Sequence, residues 1–257
     1  IIFVTGTRAD YGKIKSLILT LQNSTNYKTH IFVTGMHNLK KFGSTYDELQ
    51  IDKIKNIFTF NNQLKINNLD LILSKTIKGF NSYVKNIKPD LIVIHGDRIE
   101  ALACSLVGSL NNILTAHIEG GEVSGTIDEI IRHAVSKLSH YHFVTNNTAK
   151  KRLIQMGELK KNIFIIGSPN IEIIKSKNLP SLKVVKKKYE ITYDNYAICI
   201  MHSDTNFLKS LKKDLKIYFQ ALKKSKKNFI LLYPNNDPGS EIIFNEIKKI
   251  NKSHKNF

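Results

Sequence analysis

The sequence is short of acid, of cysteine and of long apolar runs, and each shortage narrows the field. Asp and Glu number 21 against 39 Lys and Arg, a formal net charge of +18. A balance this basic first suggests nucleic acid as a partner. The lysines, however, are scattered along the whole chain beside abundant Asn and Ile. They lack the clustering and interleaved aromatics that a nucleic-acid surface needs. The charge therefore reads as a compositional habit that still favours a small anionic substrate, and no nucleic-acid partner is expected. Cys104 and Cys199 are the only cysteines, each in an apolar run. They are expected as buried thiols in a reducing cytoplasm, not as a disulfide framework. No apolar stretch approaches the ~20 residues that span a bilayer, and no signal peptide is visible, so no membrane partner is expected.

Several chemical signatures are missing as well. There is no G-x-G-x-x-G dinucleotide fingerprint, no P-loop and no G-x-S-x-G elbow. The H-x-H at His140 and His142 falls on a predicted strand edge without carboxylates nearby in sequence, so no metal site is expected. Neither cysteine lies near a plausible base. Internal repeats are absent.

What is present is an alternation of short apolar runs and amphipathic helical patterns, in a chain of 257 residues with 42% hydrophobic content. Strands are predicted at Ile1–Thr5, His30–Thr34, Leu91–His95, Ile113–His117, His142–Thr145 and Ile163–Ile166. They are rich in Ile and Val without clean alternation, as strands buried on both faces are. Helices are predicted through Ile14–Leu21, Leu69–Phe80, 99–110 and 127–138. The order predicts an α/β fold with a doubly wound parallel sheet. The pattern breaks at "SKNLPS", 176–181, read as a linker. This divides the chain into a Rossmann-like domain at 1–175 and a second at 176–257, with strands Ala197–Met201 and Phe229–Tyr233 and helices Phe207–Lys224 and Ser240–Ile250. Two parallel strands do not make a stable sheet, so the second domain is expected to be incomplete. Both chain ends are expected to be clipped, the C-terminal one severely.

Ligands of an open α/β sheet gather beyond the carboxyl ends of its strands. After the first strand, "TGTRADYGK" sets Arg8 and Lys13 about a loop-to-helix junction, where a helix N-terminus favours anions such as a diphosphate; Asp10 as a cap is the plainer reading. After the second strand, "TGMHNLKKFGSTYDEL" places His37 near the strand end. "HGDRIEA" supplies His95, Asp97 and Arg98, with Asp97 also able to cap the next helix. "HIEGGEVSGTIDEIIRHAVSKLSH" supplies Glu119 before Gly120 and Gly121, which would let backbone approach a ligand closely. Thr126 and Glu129 make a T-x-x-E capping box. Asp128 suits the helix dipole and would pair with Arg132 at i, i+4. In the second domain "HSDTN" and "PNNDPGS" place His202 and Asn235 at strand ends. If the two domains face each other, these look across a cleft at Arg8, Asp97 and Glu119.

Taken together, "VTGTRADYGK", "HGDRIEALA", "HIEGGEVSGTIDEIIRHAVSKLSHYHFVT", "IGSPNIEII" and "YPNNDPGS" resemble the hydrolysing UDP-N-acetylglucosamine 2-epimerases, which start bacterial sialic-acid biosynthesis. The resemblance runs along essentially the whole chain. It implies two Rossmann-like domains of the GT-B type, a UDP-sugar substrate, a homo-oligomer at full length, and no metal or redox cofactor. It implies catalytic roles for Asp97, Glu119, Asp128 and His202, and substrate contacts from Arg8, Lys13, His37, Arg98 and Asn235. The family usually reads His-Pro where this chain has His202-Ser203, and its "GNSSSG" diphosphate loop is absent here. The implied reaction removes the C2 proton as UDP leaves C1, giving 2-acetamidoglucal; water then adds at C1 and C2 is reprotonated on the other face. The nearest rival substrate is a 2,4-diacetamido-2,4,6-trideoxy hexose on UDP or GDP, on the way to legionaminic acid. An inactive sugar-nucleotide-binding fragment is the non-catalytic alternative. The non-hydrolysing epimerases are expected to read "GTRPE" and "HVEAGLR" instead.

Overall fold

The inner strands of the larger sheet are buried on both faces, and that decides the architecture. A computed structural model describes residues 1–39, 46–63, 68–175, 179–204, 207–235 and 237–253. The chain divides into two units, Ile1–Lys177 and Asn178–Phe257. In the first, β1 (Ile2–Thr5), β2 (His30–Val33), β3 (Ile57–Thr59), β4 (Leu91–His95), β5 (Leu114–Ile118), β6 (Tyr141–Val144) and β7 (Ile163–Ile165) form a seven-stranded sheet in the order β3-β2-β1-β4-β5-β6-β7. Every pairing is parallel.

The helices are α1 (Arg8–Gln22), α2 (Tyr46–Ile51), α3 (Leu69–Ile87), α4 (Ile99–Leu110), α5 (Ile127–Lys137), α6 (Asn147–Gln155) and α7 (Pro169–Ile174). Successive side chains of a strand point to opposite faces. Ile2 and Val4 of β1 join Phe80 and Val84 of α3, Cys104 and Val107 of α4, and Val135 of α5. Phe3, between them, joins Tyr11, Ile14 and Ile18 of α1 and Leu49 of α2. Apolar helices on both faces explain the unbroken Ile, Val and Phe runs. Each large apolar side chain buried this way contributes about 1.5–3 kcal/mol.

In the second unit, α8 (Leu182–Lys188) precedes β8 (Ala197–Ile200), α9 (Leu211–Lys224), β9 (Phe229–Leu232) and α10 (Ser240–Ser253). β8 and β9 pair in parallel. Its core lies largely between helices, with Leu211, Leu215 and Phe219 of α9 against Ile243, Ile247 and Ile250 of α10. Ile198 and Ile200 of β8 stay exposed. The fold class is α/β, with Rossmann-like parallel β-α units.

Two differences from the expected elements stand out. β5 runs one residue later than expected, so Glu119 is the first residue past the strand. The spacing did not predict β3, α2, α6, α7 or α8. β3 is only partly buried, and α6 buries only Ala149 and Leu153, so neither imprints a clear period. Parts of the quoted motifs, 40–45, 176–178 in the linker, 205–206 and 236, lie outside the described residues. Among the described residues no helix is long and apolar enough to cross a membrane.

Candidate active site

Between β1 and β4 the strand order reverses, the point at which an open parallel sheet offers a crevice at its carboxyl ends. The loop after β1 is fixed by one buried carboxylate. Asp10 Oδ1 accepts from Thr5 Oγ1 at 2.6 Å and from Thr7 N at 2.9 Å, and Oδ2 accepts from Gly6 N at 2.9 Å. Thr7 Oγ1 accepts from Asp10 N in return, a capping box at the start of α1. The capping reading of Asp10 is therefore correct and incomplete, since the same carboxylate also shapes the turn. Arg8 is exposed at the first position of α1.

His37 is packed inward behind the first loop. It is 2% exposed, with Nε2 2.9 Å from Thr5 Oγ1. The Thr5 hydroxyl proton goes to Asp10, so Nε2 donates to Thr5. His37 thus meets the first loop through Thr5.

Glu119 is the meeting point of three elements. Its Oε2 accepts from Lys13 Nζ of α1 at 2.5 Å and lies 2.9 Å from His95 Nε2 at the end of β4. Its Oε1 accepts from Ser168 Oγ, just before α7, at 3.3 Å. The register explains the meeting: His95 pairs with Ile118, so the next residue emerges beside it. Glu119 holds a left-handed backbone, φ 62°, which is uncommon for a residue with a side chain and is held here by its surroundings. Burial pushes its carboxyl up, but hydrogen bonds from His95 and Lys13 outweigh that and hold it down at about 2.

The β4 loop also pairs its charges. Arg132 of α5 binds Asp97 with Nη2 and gives Nη1 to Glu122 O at 3.0 Å and Ser124 Oγ at 3.3 Å. Arg132, read from sequence as able to pair with Asp128, thus binds Asp97, and Asp97 does not cap α4, whose N-cap is Arg98. Arg98 sits 3.4 Å from the buried carboxylate of Glu100, whose other oxygen accepts from Asn62 Nδ2 at 3.1 Å. Arg98 thus lies against Glu100.

In the loop after β5 the glycines make room for close contacts within the protein. A Cβ on Gly120 would lie 2.8 Å from both His117 Nδ1 and Ser136 Oγ. Gly121 has φ 80°, and a Cβ there would meet Ala149 O at 2.6 Å. His117 is fully buried; Nε2 donates to Gly96 O at 2.8 Å, and burial lowers its pKa to about 3, so the ring is neutral. Glu122, unassigned from sequence, accepts from Thr145 Oγ1 and from Asn146 Nδ2. The T-x-x-E box does not form. Thr126 makes no capping bond and donates to Asp128 Oδ2 at 3.2 Å. Glu129 instead accepts from Ser124 N at 2.6 Å and Gly125 N at 2.7 Å, and the Gly125 and Ser124 amides keep its carboxyl below the ordinary value. Asp128 is exposed in the first turn of α5.

The structure thus joins Lys13 to Glu119 and holds Asp97 at the neighbouring strand end, while Arg8 and Asp128 face solvent. In the second unit, exposed His202 and half-buried Asn235 follow β8 and β9, neighbours in one sheet. Sequence reasoning placed His95 at the carboxyl end of its strand without giving it a role, and it did not single out Ser168 or Arg132 as site groups. The strand register signals His95, whereas Ser168 and Arg132 arrive through loops whose paths no periodicity records. His142, read as lacking a carboxylate, pairs with Glu158 at 3.1 Å. Among the described residues no group of three or more His, Cys, Asp and Glu is placed to hold a metal.

Comparison with known proteins gives this geometry a context. The family described as UDP-N-acetylglucosamine 2-epimerase matches residues 19–256. A UDP-N-acetylglucosamine 2-epimerase of Neisseria meningitidis serogroup B is 45% identical over 249 residues, covering 97% of this chain and 66% of that protein. A UDP-N,N'-diacetylbacillosamine 2-epimerase (hydrolyzing) of Legionella pneumophila is 35% identical over 248 residues, covering 95% of this chain and 66% of that one. The chain therefore spans just under two thirds of the length of these relatives. Among solved structures, the Methanocaldococcus jannaschii UDP-GlcNAc 2-epimerase in complex with UDP-GlcNAc and UDP matches with a TM-score of 0.78 at 23% identity, over 99% of this chain and 71% of that one. At that identity the likeness speaks for the fold.

Proposed function

The chain belongs to the UDP-N-acetylglucosamine 2-epimerase family, and from that premise we propose that it serves a hydrolysing 2-epimerase converting UDP-N-acetylglucosamine to N-acetylmannosamine and UDP. Residues 1–175 are read as one Rossmann-like domain and 176–257 as part of a second. The observation that carries the reading is the Glu119 cluster: a half-buried carboxylate, gripped by a cation and a histidine, at the switch point of a parallel sheet.

The reaction needs two things. The C2 proton is weakly acidic, so a carboxylate must be held against it. The diphosphate leaving C1 carries charge that must be offset. Arg8, Lys13 and the N-terminus of α1 supply positive potential on one side of the crevice. Glu119, with Asp97 held by Arg132, supplies carboxylates on the neighbouring loops. Asp128, His202 and Asn235 enter through the motif match, as a third acid and as polar contacts to the nucleotide sugar. Between them the acids accept the C2 proton, activate the water that adds to 2-acetamidoglucal, and return a proton to the opposite face. No step requires a redox cofactor.

A second reading keeps the chemistry and changes the sugar to a 2,4-diacetamido-2,4,6-trideoxy hexose on UDP or GDP. The similarity to the Legionella protein favours including it. Comparing kcat/KM for the two nucleotide sugars separates the readings. A preference for UDP-N-acetylglucosamine of tenfold or more, roughly 1.4 kcal/mol in transition-state binding, is expected. A preference of that size for the diacetamido sugar would reverse the assignment, and turnover of neither would sink both.

A further inference from the structure

A carboxylate that must accept a proton is ill served by an ammonium already bound to it. Yet Lys13 Nζ and His95 Nε2 meet the same Glu119 oxygen, at 2.5 and 2.9 Å. These two donors differ in freedom. His95 ends β4, with its side chain 9% exposed, and the sheet fixes it. Lys13 is 23% exposed, on a four-carbon stem, early in the helix whose first residue is the exposed Arg8. A lysine of this kind is a mobile point charge, and the nearest positive potential for an entering anion is its own end of α1.

We propose that Lys13 is a substrate-operated brake on Glu119: it holds the carboxylate in the resting protein, and the diphosphate of an entering nucleotide sugar draws it away, leaving Glu119 on His95 alone and able to accept a proton. The inference rests on the nucleotide-sugar reading and adds to it a positioning role for Lys13. Charge is conserved in the exchange, because the ammonium trades a carboxylate oxygen for a phosphate oxygen. The groups facing Glu119 are Lys13 from α1, His95 from β4 and the Ser168 hydroxyl ahead of α7. Lys13 and His95 are the charged neighbours that lower its carboxyl, which rests at about 2. Losing an opposite charge at this range raises a carboxyl by ~1–3 units, back toward the ordinary range of a useful base. The base is thereby silent until the anion that marks the substrate arrives.

The test follows the Glu119 carboxyl by carbon NMR in glutamate-labelled protein, its signal assigned by its loss in Glu119→Gln. Titrations are run free, with UDP, and with inorganic pyrophosphate. In the native protein the anion is expected to raise the carboxyl pKa by at least ~1 unit. In Lys13→Met the free value starts high, and the anion adds less than about half the native shift, since only like-charge repulsion is left. Lys13→Arg, which keeps the charge, retains the low starting value and verifies that a folded variant reports the effect. Equal anion-induced shifts in native protein and Lys13→Met would overturn the proposal, as would no native shift with either anion. A shift with pyrophosphate but none with UDP keeps the brake and counts against the nucleotide reading. Turnover of UDP-N-acetylglucosamine beside equal shifts keeps the function and removes the brake.

Discussion

The carboxyl edges of the two sheets carry similar residues and treat them differently. On the seven-stranded sheet, Asp10, Asp97, Glu100 and Glu119 are each matched to named donors or cations. On the two-stranded sheet, His202 is exposed, and β8 leaves Ile198 and Ile200 in solvent. The contrast follows from what covers the strands. Where helices bury both faces, an unmatched charge costs several kcal/mol, so each acid must be paired and pairing fixes its geometry. Where the strands meet water, as at exposed His202, solvent can do the matching. Among the described residues, the acids whose geometry is fixed by named partners lie on the first edge.

That contrast is broken most severely at Glu119. Glu119→Gln is expected to lower kcat by at least ~100-fold, the scale of a lost acid–base group, and steady-state kinetics check it. Arg132→Met strands Asp97 and leaves Glu122 O and Ser124 Oγ without their guanidinium donor. It is expected to cost about 2 kcal/mol in urea unfolding, less than a fully buried pair because Asp97 keeps partial exposure. His117 tests the buried side by pH. Its folded pKa is depressed to about 3, so the unfolded chain takes up the proton first and stability is lost as pH falls below about 6.5. A single such group contributes a slope of about 1.4 kcal/mol per pH unit between pH 6 and 5. Burial also lowers His142 and His30, which act in the same sense. Glu119 does not enter this window, since its depressed carboxyl loses its contribution only below the ordinary Glu range. Urea titrations should show a shallower slope in His117→Asn. Smallest of all, exposed Asp128→Asn should leave unfolding within about 0.5 kcal/mol, so any fall in its turnover marks chemistry and not folding.

The sequence made the inner sheet legible because strands buried on both faces write themselves as Ile and Val runs. It made Glu119, Asp97 and Lys13 legible as residues at strand ends and a helix start. It did not disclose their partners. Arg132 stands four residues after Asp128 on α5, and that spacing pointed to an intrahelical pair, yet the guanidinium crosses to Asp97, where it also meets Glu122 O and Ser124 Oγ. Glu129 reads as half of a capping box, yet two loop amides already occupy the same oxygen. Gly120 and Gly121 read as free for a close backbone approach, and the sequence does not say that His117, Ser136 and Ala149 lie beside them. Short-range pattern identifies which residues are polar at an edge; only the packed loops decide whom each one meets.

Product analysis in deuterated water tests the central claim most directly. Incubated with UDP-N-acetylglucosamine, the protein should release free UDP together with N-acetylmannosamine bearing deuterium at C2, because a carboxylate at the crevice exchanges that proton with solvent. N-acetylmannosamine that retains its C2 proton, or UDP-N-acetylmannosamine formed without free UDP, would contradict the account.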